Sequence, residues 1–375
     1  GFTDPEINTT PFFRPPGHGY FLAAIYAVTD CSYLAPRIVN ILLGLGGILW
    51  IFLLGRAFFG RAVGLLAAFF MAIYWVLIYW EGELNDPVVF VFIAPLLLNV
   101  LRWWTKKCHF GWAIFAGVLF GVYATMRPNI LAFGPVVACW MIWVAWRKKQ
   151  LAAIPASWCA LLAATLLTVA PVTLRNYLAS GEFVPVSTYF GENLLIGNDK
   201  DSDGITPWLP YLQDLEGTGK WTARDYINVV KGVRKETGNP NMTHAEVSRY
   251  FTHKAVAFIR ANPWLTAQRM GQKFLYLWLP EEITCNKVVA LEGDYYPPLK
   301  YLPGFRFAGA IFLAGLLLLL FDLVFRKELR HGVPRETIWL TLAFVALYFA
   351  TFLPFFVNGR ARVPLIPFYL LIGAY

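Results

Sequence analysis

Charge is scarce in this chain. Only 15% of its 375 residues are Asp, Glu, Lys or Arg, against roughly 25% in a soluble domain. With 58% hydrophobic residues, a water-facing fold of this size could not bury its apolar surface, so an ordinary soluble globule is excluded. Cysteine is also thin. Cys31, Cys108, Cys139, Cys159 and Cys285 are scattered and form no CxxC pair, which removes the usual thiolate metal and redox frameworks. A Cys31–Cys285 bridge on the outer side is the one pairing considered. The five histidines are equally dispersed, so no zinc spacing is visible. No Gly-rich phosphate loop and no Ser-His-Asp array can be read anywhere. "DKDSDG" (Asp199–Gly204) has calcium-loop spacing at its start but lacks the closing Glu.

What is present in quantity is apolar sequence in runs of membrane length. A helical span needs roughly twenty residues at about 1.5 Å rise each. Such runs are expected near 36–55, 62–80, 87–104, 111–127, 129–146, 152–174, 306–325, 337–357 and 361–375. Pro128 splits the fourth from the fifth. Residue 1 is Gly and no signal peptide or earlier span precedes it, so the chain is expected to be the interior of a longer protein.

The net charge of +9 does not point to nucleic acid, because its distribution follows the spans. Arg56 and Arg61, then Arg102, Lys106 and Lys107, then Arg147, Lys148 and Lys149, then Arg326, Lys327, Arg330 and Arg335 occupy alternate loops. By the positive-inside rule these loops face the cytoplasm. The intervening segments then face outward: the N-terminal stretch, "EGELND" (Glu81–Asp86), the 127–129 turn, residues 175–305 and the 358–360 turn. The expected organisation is an outer N-terminal loop with membrane helices (1–174), an extracytoplasmic soluble portion (175–305) and C-terminal membrane helices (306–375).

Two groups of outer charges need a reason. Glu81, Glu83 and Asp86 sit at a membrane boundary, where carboxylates are functional candidates by default; the plain alternative is a solvated turn. Asp86 precedes Pro87, which suits the first turn of a helix, so Asp86 could also be only an N-cap. Arg14, Arg127, Arg175, Arg360 and Arg362 oppose the inside-positive bias. Arg offers phosphate a planar fork of donors, while snorkelling or pairing with the acids is the plainer reading of any one of them. Within 175–305, "HAEVSRYFTHKAVAFIRANPWLTAQRMGQKFLYLW" has apolar positions at helical spacing. It predicts two amphipathic helices broken at Asn262-Pro263.

Five stretches occur in one order: "GFTDPEINTTPFFRPPGHGYFLA", "GELNDPVVFVF", "GVYATMRPNILAF", "PVTLRNYLASGEFVPVSTYFGENLLIGND" and "GRARVPLIPFYLLIGAY". In these the chain resembles the GT-C glycosyltransferases of the family 39 type. That group includes bacterial relatives of the protein O-mannosyltransferases and of the lipid A aminoarabinose transferase. The resemblance covers nearly the whole chain. It implies an all-α polytopic membrane protein of the GT-C type with a mixed, mainly helical, soluble portion outside. It implies an enzyme that takes a sugar from a polyprenyl-phosphate donor, with inversion, and passes it to an extracytoplasmic acceptor. The setting would be a bacterial plasma membrane rather than the ER.

The same resemblance places donor-phosphate contacts on Arg14, with Arg127, Arg175, Arg360 and Arg362 as further candidates. Asp86, with Glu83, resembles the fold's second acidic site and would orient acceptor, position a loop or hold a divalent cation. The family's signature acid follows a first span that this chain does not contain. Asp4 is therefore only a weak candidate, and the main catalytic acid is expected upstream. The chain also departs from the family in His18, where relatives often carry Tyr, and in Arg14, where the aminoarabinose transferase type has Lys. The chemistry is consistent with the borrowed roles. A lipid phosphate leaves as a stable anion and needs electrostatic support, while the acceptor needs a base or an acid-bound metal. A divalent cation is the one cofactor this chemistry suggests. The rival from another class is a lipid-linked sugar flippase without catalysis. Such a transporter would place polar groups near the midplane and often shows inverted repeats; here charges sit at span ends and no repeat is seen.

Overall fold

The computed structural model describes residues 12–217, 226–281, 283, 296–325 and 335–375. Asp4, Cys285, Arg326, Lys327 and Arg330 lie outside the described residues. In chain order the α-helices are α1 (Gly17–Val28), α2 (Leu34–Phe59), α3 (Arg61–Ala72), α4 (Trp75–Gly82), α5 (Pro87–Lys107), α6 (Phe110–Met126), α7 (Gly134–Arg147) and α8 (Ile154–Ser180). They continue as α9 (Phe190–Gly197), α10 (Pro210–Glu216), α11 (Tyr226–Thr237), α12 (His244–Ala261), α13 (Pro263–Tyr276), α14 (Phe305–Phe325), α15 (Arg335–Ala350) and α16 (Ile366–Gly373). No strand occurs among the described residues. The protein is an all-α, multi-pass membrane protein.

Among the described residues five helical stretches are long and apolar enough to cross a membrane: 34–59, 87–107, 128–147, 151–180 and 297–325. The bent pair α3–α4, kinked by 55°, makes up to six. Several expected spans are shorter than the apolar runs suggested. The run near 111–127 is the 17-residue α6, and 337–357 ends as helix at Ala350. In 361–375 only Ile366–Gly373 is α-helical, after two short 3₁₀ turns. Proline explains the last two: Pro354, Pro364 and Pro367 remove backbone donors where the helices would otherwise continue. In the other direction, residues 17–28, expected as outer loop, form α1.

The chain divides into two compact units. The larger holds 17–168, 278–351 and 359–375. Its centre is α5, of which 83% of the spanning window is buried. Helix α2 packs along α5 through "GLGG": a Cβ on Gly47 would lie 2.9 Å from the Val91 carbonyl oxygen. Small residues bring helix backbones together where apolar solvent gives no hydrophobic drive. α16 is enclosed over Ile366–Ile372, with Tyr369 stacked on Trp278 at 5.7 Å and on Phe312 at 4.1 Å.

The smaller unit holds 1–16, 169–277 and 352–358. Its core is built by amphipathic helices in the way soluble domains are. Tyr226, Val229, Val230 and Val233 face inward from α11, Val247, Phe251 and Ala255 from α12, and Leu194 and Leu195 from α9. Phe13 stacks on Tyr226 at 3.7 Å. The Thr243 hydroxyl accepts from the Glu246 N–H and the Glu246 carboxylate accepts from the Thr243 N–H, a capping box that starts α12. α12 stops at Ala261 and α13 begins at Pro263, the break expected at Asn262-Pro263.

Candidate functional site

Asp86 ends the "EGELND" turn and opens α5, with Pro87 in the first helical turn. Its backbone is already helical (φ −70°, ψ −21°) and its side chain makes no capping bond. The carboxylate is instead held by two arginines from distant segments. Arg127 donates from Nε to Oδ2 at 3.1 Å and from Nη2 to Oδ1 at 3.2 Å, and Arg360 donates from Nη2 to Oδ1 at 2.6 Å. Arg127 also donates to the Tyr348 hydroxyl at 3.3 Å and lies over the Phe90 ring at 4.6 Å. Arg360 lies 5.8 Å from the Trp80 ring centre. Side-chain exposure is 12% for Asp86, 14% for Arg127 and 22% for Arg360. Charges this enclosed persist only when paired.

Electrostatics follow from that geometry. Burial alone would raise the Asp86 carboxyl, but the Arg127 and Arg360 charges overcome it and hold Asp86 well below the usual carboxylate range. His18, on α1, feels the same group. Burial lowers its imidazole and the Asp86 charge opposes this only in part, leaving it below its ordinary value. One carboxylate between two guanidiniums leaves a surplus positive charge on the cluster, and its hydrogen-bonding oxygens are already engaged. Among the described residues no group of three His, Cys, Asp or Glu is placed to hold a metal ion.

The other two acids of the turn part company with Asp86. Glu83 caps the end of α4, and its carbonyl oxygen accepts from Asn40 Nδ2 at 2.8 Å. Arg37 Nε donates to the Gly82 carbonyl at 2.8 Å. Glu81 lies on α4, and its carboxylate rests on Gly44 of α2. A Cβ there would meet Glu81 Oε1 at 1.9 Å. With Leu77, Ile48, Val88 and Val91 it lines a cavity of about 130 Å³. The turn is thus a pinned structure that puts Glu81, Glu83 and Asp86 at three different places: on a glycine of α2, at the end of α4 and between two guanidiniums.

The five outer arginines also separate. Arg127 and Arg360 converge on Asp86. Arg362, in the same unit, is 2% exposed. Its Nη1 and Nη2 donate to the Leu279 and Glu281 carbonyls at 2.6 Å each, and its guanidinium covers the Phe305 ring at 3.7 Å. It is spent on backbone and ring. Arg14 and Arg175 belong to the smaller unit. Arg175 donates to Asn176 Oδ1 at 3.2 Å. Arg14 is exposed and lies 5.9 Å from the Tyr189 ring centre.

Sequence reasoning did not find Tyr348, Arg37, Asn40 or Glu192. Glu192, on α9, is 2% exposed, and among the described residues neither carboxylate oxygen has a hydrogen-bond partner. A helical wheel of "FGENLLIG" would have found it, since Leu195 and Ile196 share its face at i+3 and i+4 and are both buried. Tyr348 carried no signal, because only folding brings it to Arg127.

Residues 13–174 match the family model described as dolichyl-phosphate-mannose-protein mannosyltransferase. No curated protein matches the chain. Among solved structures the chain is similar to the archaeal oligosaccharyltransferase AglB from Archaeoglobus fulgidus, in complex with an inhibitory peptide and a dolichol-phosphate. The TM-score is 0.51 at 13% identity, over 96% of this chain and 41% of that one. The fold is therefore of the GT-C type, and the chain spans less than half the length of that neighbour.

Proposed function

We propose that the protein is an inverting glycosyltransferase that moves a sugar from a polyprenyl-phosphate donor to an acceptor outside the cytoplasm. The observation that carries this reading is the Asp86–Arg127–Arg360 cluster: two guanidiniums around one enclosed carboxylate, with one positive charge in surplus. Such a group favours an anion whose charge grows as the bond to the sugar breaks. In the reaction the bond between the anomeric carbon and the phosphate oxygen breaks, its electron pair stays on the phosphate, and the acceptor oxygen takes the carbon from the opposite face. Arg360, the more exposed of the pair, is the donor-phosphate contact. Arg127 and Asp86 position it. Arg14, exposed over Tyr189, is the phosphate contact of the smaller unit. Glu83 orients the acceptor. The family match over 13–174 and the GT-C fold support the donor class. The alternating basic loops support a plasma-membrane protein with 175–305 and the reacting groups on the outer side.

The test is donor-dependent transfer by the purified full-length protein in detergent, over a panel of lipid-phosphate sugars. Arg14→Ala and Arg360→Ala should each cut transfer by roughly 10²-fold, about 2.7 kcal/mol of lost stabilisation. The Lys variants should keep part of the activity. Movement of lipid-linked sugar across vesicles without transfer to any acceptor would replace the enzyme reading with the flippase.

A further inference from the structure

Glu192 is an anomaly that the proposed chemistry does not use. Glu192 is 2% exposed, and neither carboxylate oxygen accepts a hydrogen bond among the described residues. Leaving a buried acid unsatisfied is costly, more so when it is charged. The side chain cannot swing out easily, because its helix is fixed at both ends. A Cβ on Gly191 would lie 1.9 Å from the Ser248 carbonyl oxygen of α12, and one on Gly197 would lie 2.6 Å from the Phe355 backbone. These contacts hold α9 against its neighbours with Glu192 facing in.

Among the described residues the ionisable groups that act on it are few. Arg14 reaches it electrostatically from the N-terminal segment, and Tyr226 of α11 feels its charge. α12 presents Ser248 at the contact, while its His244 is coupled to Arg234 and Glu182 instead. The 352–358 segment presents Phe355, which packs on Phe190. Among the described residues Arg14 is therefore the cation that supports the ionised form. Arg14 is exposed, and among the described residues its recorded contact is the Tyr189 ring. Tyr189 is the residue that precedes α9, and Glu192 lies in the first turn of that helix, so Arg14 sits beside the helix start that carries the buried carboxyl.

We propose that Arg14 and Glu192 form a proton-linked anion site, in which an anionic phosphate arriving on Arg14 draws a proton from solvent onto Glu192. The physical reason is subtraction. A bound anion cancels the positive field that favours the ionised carboxylate and adds a negative field that opposes it. Protonated Glu192 in turn leaves the whole of Arg14's charge for the ligand. By linkage, phosphate binds more tightly wherever Glu192 can take up its proton. Burial raises this carboxyl to about 8 against the pull of Arg14, so the coupling falls in the neutral to mildly alkaline range. The inference rests on the donor-phosphate reading of Arg14 given above.

The probe is a single-chain alkyl phosphodiester, whose one negative charge is constant across the range tested. Its affinity for the full-length protein in detergent is measured between about pH 6 and pH 10. Wild-type affinity should fall by about tenfold over that range if the bound anion shifts Glu192 by about one unit. Glu192→Gln should bind like the wild type at the acid end and lose the pH dependence, and Glu192→Met should do the same. Glu192→Asp should retain a slope, and Arg14→Ala should lose both affinity and slope. The thermal midpoint of each variant reports folding separately. An unchanged slope in folded Glu192→Gln overturns the inference and leaves the donor reading standing. A folded Arg14→Ala variant that binds the probe as well as the wild type overturns both.

Discussion

Asp86→Asn separates the structural readings of the opening turn by magnitude. As a helix cap Asp86 would contribute about 1 kcal/mol, and Asn caps as well as Asp, so the change would be silent. The structure has no such capping bond. It has three charge-assisted hydrogen bonds from Arg127 and Arg360 to one enclosed carboxylate. Removing one partner from a buried ion pair costs roughly 3–5 kcal/mol. An Asn oxygen still accepts from one guanidinium, which lowers the expected loss to roughly 2–3 kcal/mol. Because the carboxyl is held below its ordinary value, its contribution is whole above about pH 5 and fades only as pH falls towards the folded-state value. The assay is denaturant or thermal unfolding of the purified protein in detergent at neutral pH. Asp86→Asn should melt earlier, and adding Arg360→Gln should cost less than it does in the wild-type background. A variant within about 0.5 kcal/mol of wild type, with additive double-variant effects, would refute the ion-pair account.

Glu192→Gln should flatten one limb of the stability profile. With its folded value raised to about 8, Glu192 contributes stability that is full below about pH 4 and lost as pH rises through the folded value. The Gln variant should therefore gain on wild type at pH above about 8, as read by thermal midpoint. Thr243→Ala removes the hydroxyl of the capping box and should cost about 1 kcal/mol in the same measurement. Gly191→Ala would gain about 1 kcal/mol of helix propensity, but its methyl meets a backbone carbonyl at 1.9 Å. Overpacking of roughly 1–3 kcal/mol should win and lower the midpoint. For topology, a cysteine at exposed Asp201 is a better reporter than one at Ser202, which is 8% exposed. Asp201→Cys should label in intact cells, and labelling only after membrane disruption would reverse the orientation.

Much of the architecture was legible from composition and period alone. Apolar runs bounded by basic loops are enough to place α2, α5, α8 and α14, because a bilayer imposes a length on any helix that crosses it. The amphipathic pair α12 and α13 and its break at Pro263 followed from spacing and from a missing backbone donor. The ends of apolar runs were less legible. The apolar run that starts at 337 continues to Val357, yet the helix stops at Ala350 ahead of Pro354, and whether a proline kinks or terminates depends on what packs beside it.

The sequence by itself determined that this protein lives in a membrane, that acids and arginines gather at span ends, and that its order of motifs resembles a glycosyltransferase family. Which acid meets which arginine was decided only by tertiary structure. Asp86, Arg127 and Arg360 lie 41 and 274 positions apart in the chain, and no local pattern encodes a contact across such distances. Glu81, Glu83 and Asp86 read alike as neighbours in one acidic turn. Folding put one on a glycine beside a cavity, one at a helix end and one between two guanidiniums. The same holds for Arg362 and Arg360, two residues apart: one is enclosed against carbonyls and a ring, the other reaches a carboxylate. Charge is written in the sequence, but the dielectric around it and the partner that compensates it exist only once the helices have packed.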